Sequence, residues 1–292
     1  MYRSLLSALI LTAALSSNAF AQITGEECNP FAVEVMTTPA PSTNPAALAD
    51  YAKLNFPETA DIIFLGDSIG VAQYYQWGFD QGRDKYSSKF LFAYGGDQFQ
   101  MALDKLLRHK DELAKLDPKI AFVFLGSNSI SYSPCAMAKG MENYITNLRE
   151  ALPSTEIVVM SVLPRGKMFR QSNTSRVEFN KFLRENASRL GVKLIEFEED
   201  ELTCGIYGFY YSVAASSLKL GPSVEKDVCG PDNMRLLASS TPMAQGNVSL
   251  SCSIEIDMNC ENFKPDNTHP TEIGSRKINE AIRSQLGEGL TR

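Results

Sequence analysis

The chain has 292 residues, with 28 Lys and Arg against 34 Asp and Glu, a formal charge of −6, 44% hydrophobic residues and two histidines. That length suits one large domain with a substantial core, or one domain carrying an insertion. The acidic balance argues against nucleic acid or an anionic membrane as the main partner, and two histidines with no CxxC among six cysteines argue against a zinc site.

Taken in chain order, residues 1–21 read as a secretory signal peptide. After Arg3 comes LLSALILTAAL, then SSNAFAQ, in which Ala19-Phe20-Ala21 fits a small-x-small cleavage site. The apolar run is too short to span a bilayer comfortably, which makes an uncleaved anchor the weaker reading. The mature chain is expected to start at Gln22, to be exported to the periplasm or beyond, and to have no stable membrane insertion. Residues 22–45, rich in Pro, Thr, Ser and Asn (TTPAPSTNP), read as an extended lead-in to a domain over 46–292.

Within that domain two signals alternate. Strand-like apolar runs occur at DIIFLG, KFLFAY, KIAFVFLG, EIVVMSVL and VKLIEF, and helical patterns at MALDKLLRHKDELAKL, AMAKGMENYITNLREAL and TSRVEFNKFLRENASRL. In the second helix, Met137, Met141, Tyr144, Ile145 and Leu148 recur at helical spacing, the mark of a core-facing stripe. Near-continuous apolar strands alternating with helices imply a parallel sheet covered on both faces. Functional groups in such sheets gather at the carboxyl ends of the strands.

The pattern stops after Phe197. Residues 201–264 hold Gly, Ser, Pro and four of the six cysteines (Cys204, Cys229, Cys252 and Cys260) without a clear period, and read as an irregular insertion with a short helix at MRLLASS. Its apolar cluster GIYGFYYSV is either a strand or the lining of an acyl pocket. With Cys28 and Cys135 the cysteine count is even, which in an exported chain predicts disulfides. The pairing stays open, although Cys252 and Cys260 are close enough to close a small loop. A last helix is expected over about Glu272–Leu286. Sequons stand at Asn173, Asn186 and Asn247.

Gly66-Asp67-Ser68 follows the first apolar strand, so the Ser68 hydroxyl is placed at the top of a sheet. A serine attacks only if a base takes its proton, and two histidines are on offer. His109 lies inside a charged amphipathic helix and reads as a surface residue. His269 lies in the turn-rich PDNTHPTEIG, three residues after Asp266, a spacing that lets the carboxylate reach Nδ1–H and leaves Nε2 for the serine. Taken alone, a DxxH turn is more often a helix cap than a catalytic pair. Oxyanion donors have candidates at the next two strand ends: Gly95-Gly96-Asp97 after KFLFAY, and Ser127-Asn128 after KIAFVFLG.

The set GDSI, GGD, GSN and DNTH, in this order, resembles the GDSL/SGNH hydrolase superfamily of serine esterases, lipases and acetylhydrolases. GGD, PKIAFVFLGSN and IVVMSVLPRG are similar to the branch of platelet-activating-factor acetylhydrolase catalytic subunits. The resemblance covers about Asp61–Phe197 and Asp266–Leu286. It implies a three-layer α/β/α sandwich around a five-stranded parallel, flavodoxin-like sheet. It also implies Ser68 as nucleophile, His269 as base and Asp266 as its orienter, with Ser68, Gly96 and Asn128 forming the oxyanion hole. No cofactor or metal is expected. Ile69 replaces the usual Leu, Ser129 stands where Asp is common, and FAYGGD lacks the residues that often precede the second block, which leaves Gly95 as an alternative donor.

The expected function is an exported serine esterase acting on short-chain acyl esters, foremost O-acetyl groups of a carbohydrate. The alternatives are a carbohydrate O-acetyltransferase with the same triad, a lipase or phospholipase-type esterase, and a binding module without turnover. The expected partner is a small acyl ester or acetylated carbohydrate, not nucleic acid.

Overall fold

The apolar runs become the strands of one sheet because both of its faces are covered. The structure is a computed structural model describing residues 28–43, 45, 48–49, 54–77, 88–166, 170–197, 202, 206–213, 216–219, 250–256 and 260–286. The expected signal peptide, Cys204, Cys229, the sequon at Asn247 and the helix expected at MRLLASS lie outside the described residues.

Strands β1 (Ile62–Gly66), β2 (Lys89–Ala93), β3 (Ile120–Phe124), β4 (Glu156–Met160) and β5 (Lys193–Ile195) form a five-stranded parallel sheet in the order β2-β1-β3-β4-β5. Side chains alternate strictly across it. Ile63, Leu65, Ala121, Val123, Ile157 and Val159 enter one core, and Ile62, Phe64, Ile120, Phe122, Val158 and Met160 the other. The first core is closed by α1 (Pro30–Thr37), α3 (Phe99–Arg108), α4 (Lys110–Leu116), α5 (Pro134–Ala151) and α6 (Arg170–Leu190). The second is closed by α2 (Ser68–Gln76) and α7 (Glu272–Leu286). This is the three-layer α/β/α sandwich anticipated from the sequence. Helix α5 begins at a Ser133 cap with Pro134 in its first turn, and its predicted stripe of Met137, Met141, Tyr144, Ile145 and Leu148 is buried.

Three local expectations are corrected. The lead-in is not extended throughout. Asn29 caps α1 by accepting from the N–H groups of Phe31 and Ala32, Pro30 occupies the first helical position, and Met36 is buried against the core. A disulfide from Cys28 to Cys135 ties this helix to the start of α5. The helix expected over MALDKLLRHKDELAKL breaks at His109, which adopts φ −119° and ψ 23° between α3 and α4. His109 is half-buried rather than a surface residue on a charged helix face, because its ring packs against Phe56 and Phe92 at centroid distances of 5.3 and 5.9 Å.

The third correction concerns residues 201–264. Strands β6 (Ile206–Val213), β7 (Ser216–Lys219) and β8 (Leu250–Ile256) form an antiparallel sheet in the order β7-β6-β8. IYGFYYSV, the cluster without its first residue, is the β6 strand, as its β-branched and aromatic residues favour. Its partner β8 lies tens of residues away, so no local period announced the pairing. Cys260 is disulfide-bonded. Among the described residues no helix is long and apolar enough to cross a membrane.

Candidate active site

The order β2-β1-β3 makes the gap between β1 and β3 a topological switch point, because the chain leaves β1 to one side and returns to the other. In open parallel sheets such a crevice, at the carboxyl ends of the strands, is the place where ligands bind. Register aligns the three strand ends: Gly66 pairs with Ala93 on one side and with Phe124 on the other. The segments that follow, 67–68, 94–97 and 125–128, therefore emerge side by side.

Asp67 joins β1 to α2. Its backbone is extended, and Oδ1 accepts the Ile69 N–H at 2.9 Å as the N-cap of α2. Ser68 is the first residue of that helix, so its N–H points out of the helix N-terminus and makes no hydrogen bond to another described residue. Its Oγ lies 2.7 Å from His269 Nε2, across 201 positions of chain. His269 Nδ1 lies 2.8 Å from Asp266 Oδ2. The other Asp266 oxygen accepts the N–H groups of Thr268 at 3.0 Å and His269 at 2.9 Å. Asn267, at φ +55°, turns the chain tightly enough for this. Partial burial pushes the Asp266 carboxyl up, but the N–H and ring of His269 and the N–H of Thr268 outweigh it and hold the group below its ordinary range. Asp266 is thus ionised at neutral pH.

Gly95, Gly96 and Asn128 come to the same strand ends. A Cβ on Gly95 would stand 3.8 Å from Ser68 Cβ, and Gly96 has φ +89°. Asn128 lies in the short helical turn Ser127–Ser129, where its Nδ2 donates to the Asp97 carbonyl at 3.1 Å and its own carbonyl accepts from Gln98 Nε2 at 3.0 Å. One Asn128 N–H is thus used to fix the side chain, and the other has no partner among the described residues. Below this loop, Lys105 and Asp97 form an ion pair of 2.9 Å that is almost wholly buried. Burial pulls the lysine down and Asp97 opposes it.

The sequence reading gave no role to Asp67, Lys105 or Arg165, although Asp67 stands in GDSI and Arg165 in VLPRG; the contacts that define Lys105 and Arg165 run between elements. Arg165, just after β4, donates from Nη1 to the Ser127 carbonyl at 3.1 Å and from Nε to Thr268 Oγ1 at 3.2 Å. Asp67 is 1% exposed, and among the described residues its Oδ2 has no partner within ordinary hydrogen-bond geometry, the Ser127 N–H being the nearby donor that lowers its pKa. It borders a cavity of about 10 Å³ that Ile69, Ser127, Met160, Leu163 and Ile278 also line. Burial pushes its carboxyl up to about 7, with the charge of Asp97 adding and the Ile69 N–H and Arg165 opposing. The folded chain therefore holds this proton more tightly than the unfolded chain, and stability falls as pH rises from about 4 toward 7. Asp67→Asn keeps a capping oxygen and removes the titration, so denaturant midpoints measured over that range should fall less steeply than in the parent. An unchanged slope would place the titration elsewhere.

Against known families, residues 64–217 match the GDSL-like Lipase/Acylhydrolase family, more than half of the chain. Platelet-activating factor acetylhydrolase IB subunit alpha2 of Homo sapiens is 27% identical over 141 residues, 47% of this chain and 58% of that protein. The alpha1 subunit of Rattus norvegicus is 29% identical over 109 residues, 37% of this chain and 45% of that one. The match thus spans less than two thirds of the length of these relatives. Among solved structures, a Bacteroides fragilis protein described as an acylhydrolase superposes with a TM-score of 0.51 at 13% identity, covering 85% of this chain and all of that one, which is a likeness of fold. The strand ends, their order in the chain and the matched residues agree: this chain belongs to the GDSL-like lipase/acylhydrolase family.

Proposed function

We propose that this chain is a serine esterase that cleaves short-chain acyl esters through an acyl-enzyme at Ser68. The observation that carries the reading is the relay from Ser68 Oγ through His269 to Asp266, at 2.7 and 2.8 Å. In the first half-reaction His269 Nε2 takes the hydroxyl proton as Oγ attacks the ester carbonyl. The ionised Asp266 holds Nδ1–H and stabilises the imidazolium that forms. The developing oxyanion accepts from the N–H groups of Ser68 and Gly96 and from Asn128 Nδ2. His269 then gives its proton to the departing alcohol, leaving the acyl group on Ser68. Water repeats the sequence with His269 as base and releases the acid.

The curated relatives are named as acetylhydrolases, which supports the small acyl group. The family description, lipase and acylhydrolase, favours a lipid-type ester over the carbohydrate O-acetyl group put first from the sequence. The acyl half is read by kcat/KM on p-nitrophenyl acetate, butyrate, octanoate and palmitate. Acetate should lead, and octanoate should fall at least about tenfold below it, because a site for a small acyl group leaves added methylenes nowhere to pack. A preference for octanoate or longer would overturn the short-chain reading. Export belongs to the same proposal. The Cys28–Cys135 disulfide supports an oxidising compartment, and the intact mass of the purified protein reads whether the chain begins near Gln22.

A further inference from the structure

We propose that Arg165 is a positioning residue that sets the base-bearing turn and the oxyanion loop at their working separation. The proposal rests on the esterase reading and deepens it. After β4 the chain runs without helix or strand over residues 161–166, and α6 grips it at two points. Asn180 accepts the Val162 N–H at 2.8 Å and donates to the Val162 carbonyl at 2.9 Å. Asn173 does the same for Arg165, at 3.0 and 2.5 Å. Seven residues of helix rise about 10.5 Å, a span that three residues of chain reach at most, at about 10 Å. The two asparagines therefore match the residues they hold, and the backbone of Arg165 is fixed before its side chain makes any contact. Asn173 is fully buried in this role, which closes its sequon to glycosylation in the folded chain.

From that fixed point two connections reach the acid–base turn. The Gly166 N–H donates to the Asn267 carbonyl at 2.9 Å. A Cβ on Gly166 would come within 2.5 Å of Asn267 Cβ, so only glycine permits this approach. Arg165 Nε reaches Thr268, which lies between Asp266 and His269 in the chain, while Nη1 reaches Ser127, the neighbour of Asn128. One rigid, planar guanidinium thus spans the two loops that supply the base and an oxyanion donor. Its charge also attracts Asp67 and Asp266. Arg165 touches no reacting atom in this scheme and acts through its neighbours.

The test uses the full-length purified protein and p-nitrophenyl acetate, with active sites counted by a fluorophosphonate that labels the reactive serine. Arg165→Met should lower kcat per labelled site by about 10²-fold with KM changed by less than about threefold, as expected when catalytic groups are misplaced by about an ångström. Arg165→Lys should recover little of that loss, because a single ammonium cannot reproduce the fork. Should Arg165→Met fail to fold, Arg165→Lys alone decides: a reduced kcat supports the proposal. Native kcat per labelled site in the lysine variant would overturn it, as would a loss confined to KM in either variant. An unmodified protein that neither labels nor turns over would instead remove the esterase reading.

Discussion

Turnover of p-nitrophenyl acetate should fall by at least about four orders of magnitude in both Ser68→Ala and His269→Ala, because each removes a member of a unit that acts together. Ser68 is the first residue of α2 and loses only a hydroxyl, and His269 stands in a turn held by other bonds. Lys264 donates to the His269 carbonyl at 2.8 Å, and Asn267 donates to the Lys264 carbonyl at 2.9 Å. Thermal melts should therefore stay within a few degrees of the parent, so that the loss reads as chemistry. Asp266→Asn should keep measurable activity, since an amide oxygen can still accept from the Thr268 and His269 N–H groups while the charge opposite the imidazolium is gone. Asn128→Ala should cost on the order of 10²-fold in kcat, from one oxyanion donor. Near-native rates in His269→Ala would require another base, and His109, packed between Phe56 and Phe92, is poorly placed to supply it.

The largest expected effect on stability lies one strand residue before the candidate site. Gly66 ends β1 with φ +117°, and a Cβ there would come within 1.9 Å of the Phe124 carbonyl oxygen and 2.5 Å of its carbon. Both atoms belong to the backbone of the neighbouring strand, where the Asp67 N–H donates to that same oxygen at 2.8 Å. No rotamer relieves the clash, and the central pair of the sheet must part. Gly66→Ala should destabilise by more than about 4 kcal/mol, a large share of the total stability of a domain. A melting temperature at least about 10 °C lower, or a loss of soluble protein, is the expected result. A drop of only a few degrees would mean that β1 and β3 can separate at this point without cost to the fold.

The layered architecture was legible because burial on both faces leaves its mark in local composition. Strands such as IAFVF have no polar side, and the Met137–Leu148 stripe has one apolar face. Each pattern lies within a few residues of chain, and short-range steric and hydrophobic preferences produce it. The candidate residues were legible for a related reason. In a parallel sheet every strand delivers its carboxyl end to the same edge, so Ser68, the Gly95-Gly96 pair and Asn128 could be marked by position after an apolar run, and the resemblance then pointed to Gly96. His269 stood out through scarcity, as one of two histidines.

Long-range geometry decided the rest. That Ser68 and His269, 201 positions apart, stand at 2.7 Å is a property of α7 packing beside α2, which no local spacing contains. The pairing of β6 with β8, the break at His109 and the seating of α1 on the core each depend on a partner distant in sequence. Arg165 shows the distinction most clearly. In the chain it is one arginine a few residues after a strand, and only folding brings the carbonyl of Ser127 and the hydroxyl of Thr268 within reach of a single guanidinium. The sequence by itself determined which strands, which helices and which end of the sheet. Tertiary structure decided the distances, because hydrogen bonds and charges act over a few ångströms, and only packing sets separations that small between residues far apart in the chain.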